Sequence, residues 1–194
     1  MNNPSHYFLA VPLPNEVKSG LWSWARLLKE HTHYKTWTGE ADYHITLIFF
    51  GAIAEEKIER LTEGLTSIVN ELEPMALALN GLDGFGKNGH PRVLYASVME
   101  NQALIKNQRR IADICRQCGF PVENRPYRPH ITLGKKWVGR QPISIPQLQE
   151  HLPTLPVTRW HAEEIVLYEI HPGQYPKYLP VKTFYFGNEN RVDL

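Results

Sequence analysis

The chain has 194 residues, of which 42% are apolar and 21% charged. That is enough to bury a sizeable core in one or two domains, and it excludes disorder as the main state. A formal net charge of +1 excludes a nucleic-acid-coating surface, so any contact with nucleic acid is expected at an end or in a pocket.

From the N-terminus, YFLAVPL (7–13) reads as a buried strand, and Pro14 opens a helix at a position proline tolerates. Val17, Leu21, Trp24 and Leu28 recur at helical spacing and give that helix one buried stripe. YHITLIFFG (43–51) reads as a strand closed by Gly51. At most one of Phe49 and Phe50 can face a cleft beside this motif, and core packing is the expected role. Ile58, Leu61, Leu65, Ile68 and Leu72 mark a second amphipathic helix, and MALALNGL (75–82) a further strand. GFGKNGHP (84–91) reads as a glycine-rich polar loop, either a bare linker or a flap over a substrate.

RVLYASVM (92–99) is the next strand. Asn101 is suited to cap a helix whose inner side carries Leu104, Ile111, Ile114, Cys115 and Cys118, with Gly119 as its stop. The C-x-x-C pair could be a redox or zinc half-site, but no second cysteine pair completes a zinc site. Core packing is the expected role. A turn-rich stretch leads into HITLGKKW, then ISIPQLQEHL holds a short helix. RWHAEEIVLYEIH and KTFYFG read as strands separated by the loop PGQYPKYLP. No apolar run approaches the ~20 residues of a membrane span, and FLAVPLP is too short and proline-broken for a signal peptide, so a reduced, cytoplasmic setting is expected.

HITL occurs at 44–47 and again at 130–133. Displaced by that offset, FLAVPL falls on LYASVM and the first helix on the third. Strand, helix and HITL strand thus occur twice in one order, as a topological repeat with a pseudo-twofold relation between its halves. Residues i and i+2 of a strand share a face, so His44 pairs with Thr46 and His130 with Thr132, backed by Ile45, Leu47, Ile131 and Leu133. Two imidazoles across a cleft satisfy the needs of paired acid and base catalysis near neutral pH. The two hydroxyls can hold anionic oxygens between them, a layout that suits a phosphodiester and needs no metal. A di-histidine metal site is the alternative, with Asp42 as the nearest further ligand.

On these motifs, together with FLAVPLP, PRVLYASV and YRPHITL, the chain resembles the 2H phosphoesterase superfamily. Within it the chain is similar to the bacterial RNA 2′,3′-cyclic phosphodiesterases, historically called 2′-5′ RNA ligases. The resemblance spans nearly the whole chain, so that residues 1–194 form a single domain of two pseudo-symmetric lobes. It implies an α+β fold of two antiparallel sheets, with helices outside and the H-x-T-x strands lining a central cleft. It further implies hydrolysis of RNA 2′,3′-cyclic phosphate ends to 2′-phosphomonoesters without a cofactor, with His44 as proton donor, His130 as proton acceptor, and Thr46 and Thr132 on the phosphate oxygens. RNA ends or nucleotides carrying a 2′,3′-cyclic phosphate are the implied partners, no membrane is involved, and a monomer is expected.

Family members often carry arginine where Lys135 stands here, which keeps the charge but loses the planar fork. In a regular strand Lys135 would point away from His130, and Lys136 would share its face. Arg125, Arg128, Lys135, Lys136 and Arg140 concentrate charge around the second motif, as an RNA phosphate track or as a solvated face. Tyr127 could stack on a base or pack against the cleft wall. The competing functions are an RNA-end binding protein with little turnover and a phosphodiesterase for small cyclic nucleotides.

Overall fold

The computed structural model describes residues 5–187. Its strands are β1 (His6–Pro12), β2 (Tyr34–Trp37), β3 (His44–Ala52), β4 (Met75–Lys87), β5 (His90–Val98), β6 (His130–Trp137), β7 (Arg159–Ala162), β8 (Glu164–Ile170) and β9 (Tyr178–Tyr185). Its α-helices are α1 (Asn15–His31), α2 (Glu55–Ile68), α3 (Gln102–Gln117) and α4 (Ile145–Glu150). The strands form two antiparallel sheets, ordered β3-β1-β8-β9 and β2-β6-β5-β4-β7.

Displaced by 86 residues, β1, α1 and β3 fall within two residues of β5, α3 and β6 at every boundary. The correspondence extends to the sheets. In each, an HITL strand (β3 or β6) pairs with the strand of its own unit (β1 or β5), which is followed by β8-β9 or by β4-β7. β2 is added outside β6. The helices cross over: α1 lies against β6, α3 against β3, and β3 and β6 themselves approach one another. One apolar cluster draws on both sheets, with Leu9, Ile45, Leu94 and Ile131 from the strands and Leu21, Leu61 and Ile111 from the helices.

Local chemistry explains most boundaries. Val17, Leu21, Trp24 and Leu28 of α1 are all buried, as their spacing requires. Asn101 caps α3 by accepting from the Leu104 N–H at 2.8 Å, and Gly119 ends it at φ +83°. Cys115 is fully buried, its thiol pushed up to about 12 by that burial. Cys118 Sγ packs against α2, where a Cβ on Gly64 would come within 2.6 Å of it.

Three expectations change. The stretch 84–91 is not a loop: β4 and β5 run through it as a hairpin closed by Asn88 and Gly89, with Lys87 opposite His90. Its glycines serve the pairing, since Gly86 (φ +125°) sits at a bulge where a Cβ would meet the Arg92 nitrogen at 2.8 Å. RWHAEEIVLYEIH is two strands rather than one. Ala162 pairs with Met75 in one sheet and Glu164 with Tyr185 in the other, so the chain changes sheets at Glu163. The proline- and tyrosine-rich loop is shorter than expected, because Tyr178–Pro180 already belong to β9.

Candidate active site

Both HITL strands alternate as a half-buried sheet face demands. Ile45, Leu47, Ile131 and Leu133 are buried, while His44, Thr46, His130 and Thr132 are half-buried on the other side. Each imidazole is held in the same way. His44 Nδ1 lies 2.8 Å from the Asp42 carbonyl oxygen, and His130 Nδ1 lies 2.8 Å from that of Arg128. A carbonyl only accepts, so each ring carries its proton on Nδ1 when neutral and leaves Nε2 as the reactive nitrogen. Thr46 Oγ1 stands 3.0 Å from His44 Nε2.

Aromatic rings fix the orientation of both histidines. Phe8 lies 4.6 Å from His44 and Tyr178 meets it edge-on at 5.2 Å. Around His130, Phe85 meets the ring edge-on at 4.9 Å and Tyr95 lies at 5.2 Å. Phe8 gives no sign of a site role within its buried-strand pattern, and Phe85 lies in the stretch read as either a bare linker or a flap over a substrate.

A cavity of about 190 Å³ has His44, Thr46, Thr132 and Lys135 in its walls, with Thr38 and Phe49 beside them. His130 is outside these walls and acts on His44 electrostatically. A larger, more open groove between α2 and β9, of about 570 Å³, contains no imidazole and has no part in this chemistry.

Lys135 reaches the cleft through a register shift. The β5–β6 pairing steps from Tyr95 opposite Thr132 to Leu94 opposite Gly134, which leaves Leu133 as an extra residue on β6. A bulge of this kind re-aims the side chains beyond it, so the third residue after the threonine returns to the threonine's face. The same step occurs on β3, where Leu9 opposes Ile48, Ala10 opposes Thr46, and Leu47 is extra. Lys135 and Phe49 are thus equivalent positions, both brought to the cleft. The regular-strand expectation is corrected accordingly. Lys135 is in the cleft wall, and Lys136, at φ +63°, is exposed and not part of that wall. Phe49 is 58% exposed, while Phe50 is the core residue, packed 5.3 Å from Phe120.

Of the other residues singled out, Arg125 is exposed and ion-paired to Glu123, and Arg128 contributes the carbonyl under His130 while its side chain is exposed. Tyr127 is half-buried, and its hydroxyl donates to the Thr46 carbonyl at 3.1 Å, which ties the loop before β6 to β3. Asp42 is buried in a 3-10 turn before β3, and its carboxylate accepts from the backbone N–H of Lys177 at 2.8 Å and of Tyr178 at 3.2 Å. It thereby clamps the segment that carries Tyr178 to the segment that carries His44. Among the described residues, no three His, Cys, Asp or Glu side chains converge as metal ligands would.

The electrostatics favour neutral imidazoles. Burial pushes His44 down to about 4, only partly opposed by the Asp42 carbonyl bond and reinforced by Lys135, His130 and Lys18. His130 is also lowered by burial, opposed by the Arg128 carbonyl and reinforced by Lys135 and Arg125. Burial and Lys177 lower Lys135 in turn. Burial alone would disfavour charge of either sign, but the smaller contributions from Lys18, Arg125, Lys135 and Lys177 are all positive, and these favour an anion.

A family model described as the 2′-5′ RNA ligase superfamily matches residues 17–174. An RNA 2′,3′-cyclic phosphodiesterase of Bacillus subtilis is 35% identical over 181 residues, covering 92% of this chain and 95% of that one. One of Geobacillus stearothermophilus is 36% identical over 180 residues, covering 93% of this chain. The chain spans 57% of the length of that Geobacillus relative. Among solved structures, Escherichia coli LigT in complex with 3′-AMP matches with a TM-score of 0.77 at 21% identity, covering 95% of this chain and 99% of that one. This last likeness speaks to the two-sheet α+β fold.

Proposed function

The chain belongs to the 2′-5′ RNA ligase superfamily, and from that premise we propose that it is an RNA 2′,3′-cyclic phosphodiesterase that opens cyclic phosphate ends to 2′-phosphomonoesters. The observation that carries this reading is the pair of identically held imidazoles, each with a threonine on its own face, beside a cavity that a lysine closes.

In the proposed reaction, water attacks phosphorus and its proton passes to His130 Nε2. The bond from phosphorus to the 3′ oxygen breaks, and His44 Nε2–H gives that oxygen a proton. The 2′ ester bond stays intact. Thr46, Thr132 and Lys135 hold the non-bridging oxygens, where a donor preorganised on developing charge is worth about 2.7–4 kcal/mol. The division of acid and base follows the family resemblance. Burial holds His44 near 4, and phosphate charge beside it raises its affinity for the catalytic proton.

A cavity of about 190 Å³ is smaller than the roughly 300–1,000 Å³ of sites that enclose whole small molecules. It suits the cyclic phosphate and adjoining ribose, with Phe49 offering its exposed ring to the base. Arg128 and Lys136, with Arg125 paired to Glu123, give the rim of the cleft beside β6 a basic margin that attracts the phosphate end, and Tyr127 positions β3. The partners are RNA or nucleotide ends, and the two halves of the chain act as one unit around the cleft. With a 5′ hydroxyl in the place of water, the same step forms a 2′-5′ linkage.

The test is a short RNA ending in a 2′,3′-cyclic phosphate, incubated with the protein in EDTA. A 2′-phosphate end is the expected product. A 3′-phosphate end, or no product at any pH unless metal is restored, would contradict the reading.

A further inference from the structure

Helix α1 carries Lys18, Trp22, Arg26 and Lys29 at spacings that place them along one face. From Lys18 to Lys29 this stripe is roughly 16 Å long at 1.5 Å per residue. It begins at the cleft: Lys18 Nζ donates to the Ala41 carbonyl at 3.1 Å, and its charge is felt at His44. It ends against β2, where Lys29 Nζ lies 4.4 Å from the Trp22 ring and 5.6 Å from that of Trp37. Trp37 directly precedes Thr38, which is in the cleft wall. Two half-buried indoles and a row of cations therefore lie on one face beside the cavity.

Lys18 faces the charges of Asp42 and Glu40, and beyond it the cations of this face are uncompensated. Lys106, Arg110 and Arg116 on α3 each pair with an acidic side chain. Among the described residues, neither Arg26 nor Lys29 forms an ion pair, although both are exposed. Residues 18–37 hold Lys18, Arg26, Lys29 and Lys35 against the single acid Glu30, in a chain whose net charge is only +1. Cations interleaved with aromatic faces are the means by which proteins follow a single strand without reading its sequence: the charges track phosphates and the rings take stacked bases.

We propose that the α1–β2 face is a subsite for single-stranded RNA, holding the nucleotides 5′ of the cyclic phosphate end. The inference rests on the function proposed above and adds that the preferred substrate is an RNA end rather than a free nucleotide. Arg26 and Lys29 neutralise phosphates, and a phosphate that draws the Lys29 ammonium off the Trp22 and Trp37 rings leaves those rings to take bases.

The experiment uses the full chain and its Arg26→Glu/Lys29→Glu variant, with two substrates, a nucleoside 2′,3′-cyclic phosphate and a hexanucleotide ending in the same group. Binding of a fluorescein-labelled hexanucleotide with a 3′ hydroxyl is followed separately by anisotropy. The expected result is a KM for the hexanucleotide raised tenfold or more with the mononucleotide unaffected. The slope of log K against log salt flattens by about 1.4 for two lost single-strand phosphate contacts. The milder Trp22→Leu should raise the hexanucleotide KM in the same direction. Equal effects on both substrates, or no effect on either, would overturn the subsite. If the wild type turns over neither substrate but binds the labelled RNA and the variant does not, the subsite stands and the proposed function falls.

Discussion

Replacing Lys135 by glutamine separates its two roles. The lysine stands in the cavity wall because of the Leu133 bulge, and its charge lowers both His44 and His130. As a phosphate ligand it makes a hydrogen bond from a charged group, worth about 1.5–3 kcal/mol, so its loss should weaken substrate binding about 10- to 150-fold. The effect should raise KM, since the lysine contacts the phosphate in the ground state, and lower kcat in so far as its contact strengthens on the developing charge. As a neighbouring cation it disfavours imidazolium, so its removal should move both histidines upward. The pH optimum therefore shifts to higher pH while activity falls. Steady-state kinetics across pH, with an NMR titration of the imidazole protons, reads both effects. Unchanged histidine titration, or kcat and KM both intact, would refute the placement of this ammonium beside the reacting phosphate. Lys135→Arg should retain most of the binding, because the guanidinium keeps the charge and adds a planar fork.

Further outcomes follow from the same geometry. His44 falls from an ordinary 6.5 to about 4, so below pH 6.5 the unfolded chain binds a proton that the folded chain refuses. Stability should therefore drop as pH falls through that window, by about 3 kcal/mol when complete, and His44→Asn should flatten the dependence in urea titrations between pH 7 and 4.5. Asp42→Ala leaves the N–H groups of Lys177 and Tyr178 without their carboxylate. It should cost about 3 kcal/mol of stability as well as activity, and Asp42→Asn, which keeps one acceptor, should recover part of both. Phe49→Ala should raise KM by an amount equivalent to about 1–3 kcal/mol for a stacked base, with Tm unchanged because the ring is 58% exposed.

The duplicated architecture was legible because HITL marks equivalent points in both halves, and the 86-residue offset then aligns a strand and a helix on their counterparts. Period-2 alternation put His44, Thr46, His130 and Thr132 on inward faces, and the structure agrees. Alternation failed after each threonine for a definite reason. A bulge adds one residue, so every face assignment beyond it inverts, and nothing in ITLIFF or ITLGKK announces the extra residue. Phe49 and Lys135 were misjudged together for that one cause. The hairpin through residues 84–91 was hidden by glycines that read as punctuation but accommodate a bulge and a two-residue turn. The clamping role of Asp42 has no sequence pattern, because its partners lie 135 and 136 residues away in sequence and are backbone groups. Glu163 marks no break in its apolar run, since either sheet would accept the residues around it.

The most direct test of the two-histidine account is the pH profile of kcat/KM for the wild type, His44→Ala and His130→Ala on a 2′,3′-cyclic phosphate, in EDTA. The account requires a bell for the wild type, with the acid limb lost in His130→Ala, which lacks the base, and the alkaline limb lost in His44→Ala, which lacks the acid. A bell that keeps both limbs in either variant would contradict it, because the proton donor and acceptor would then be other groups.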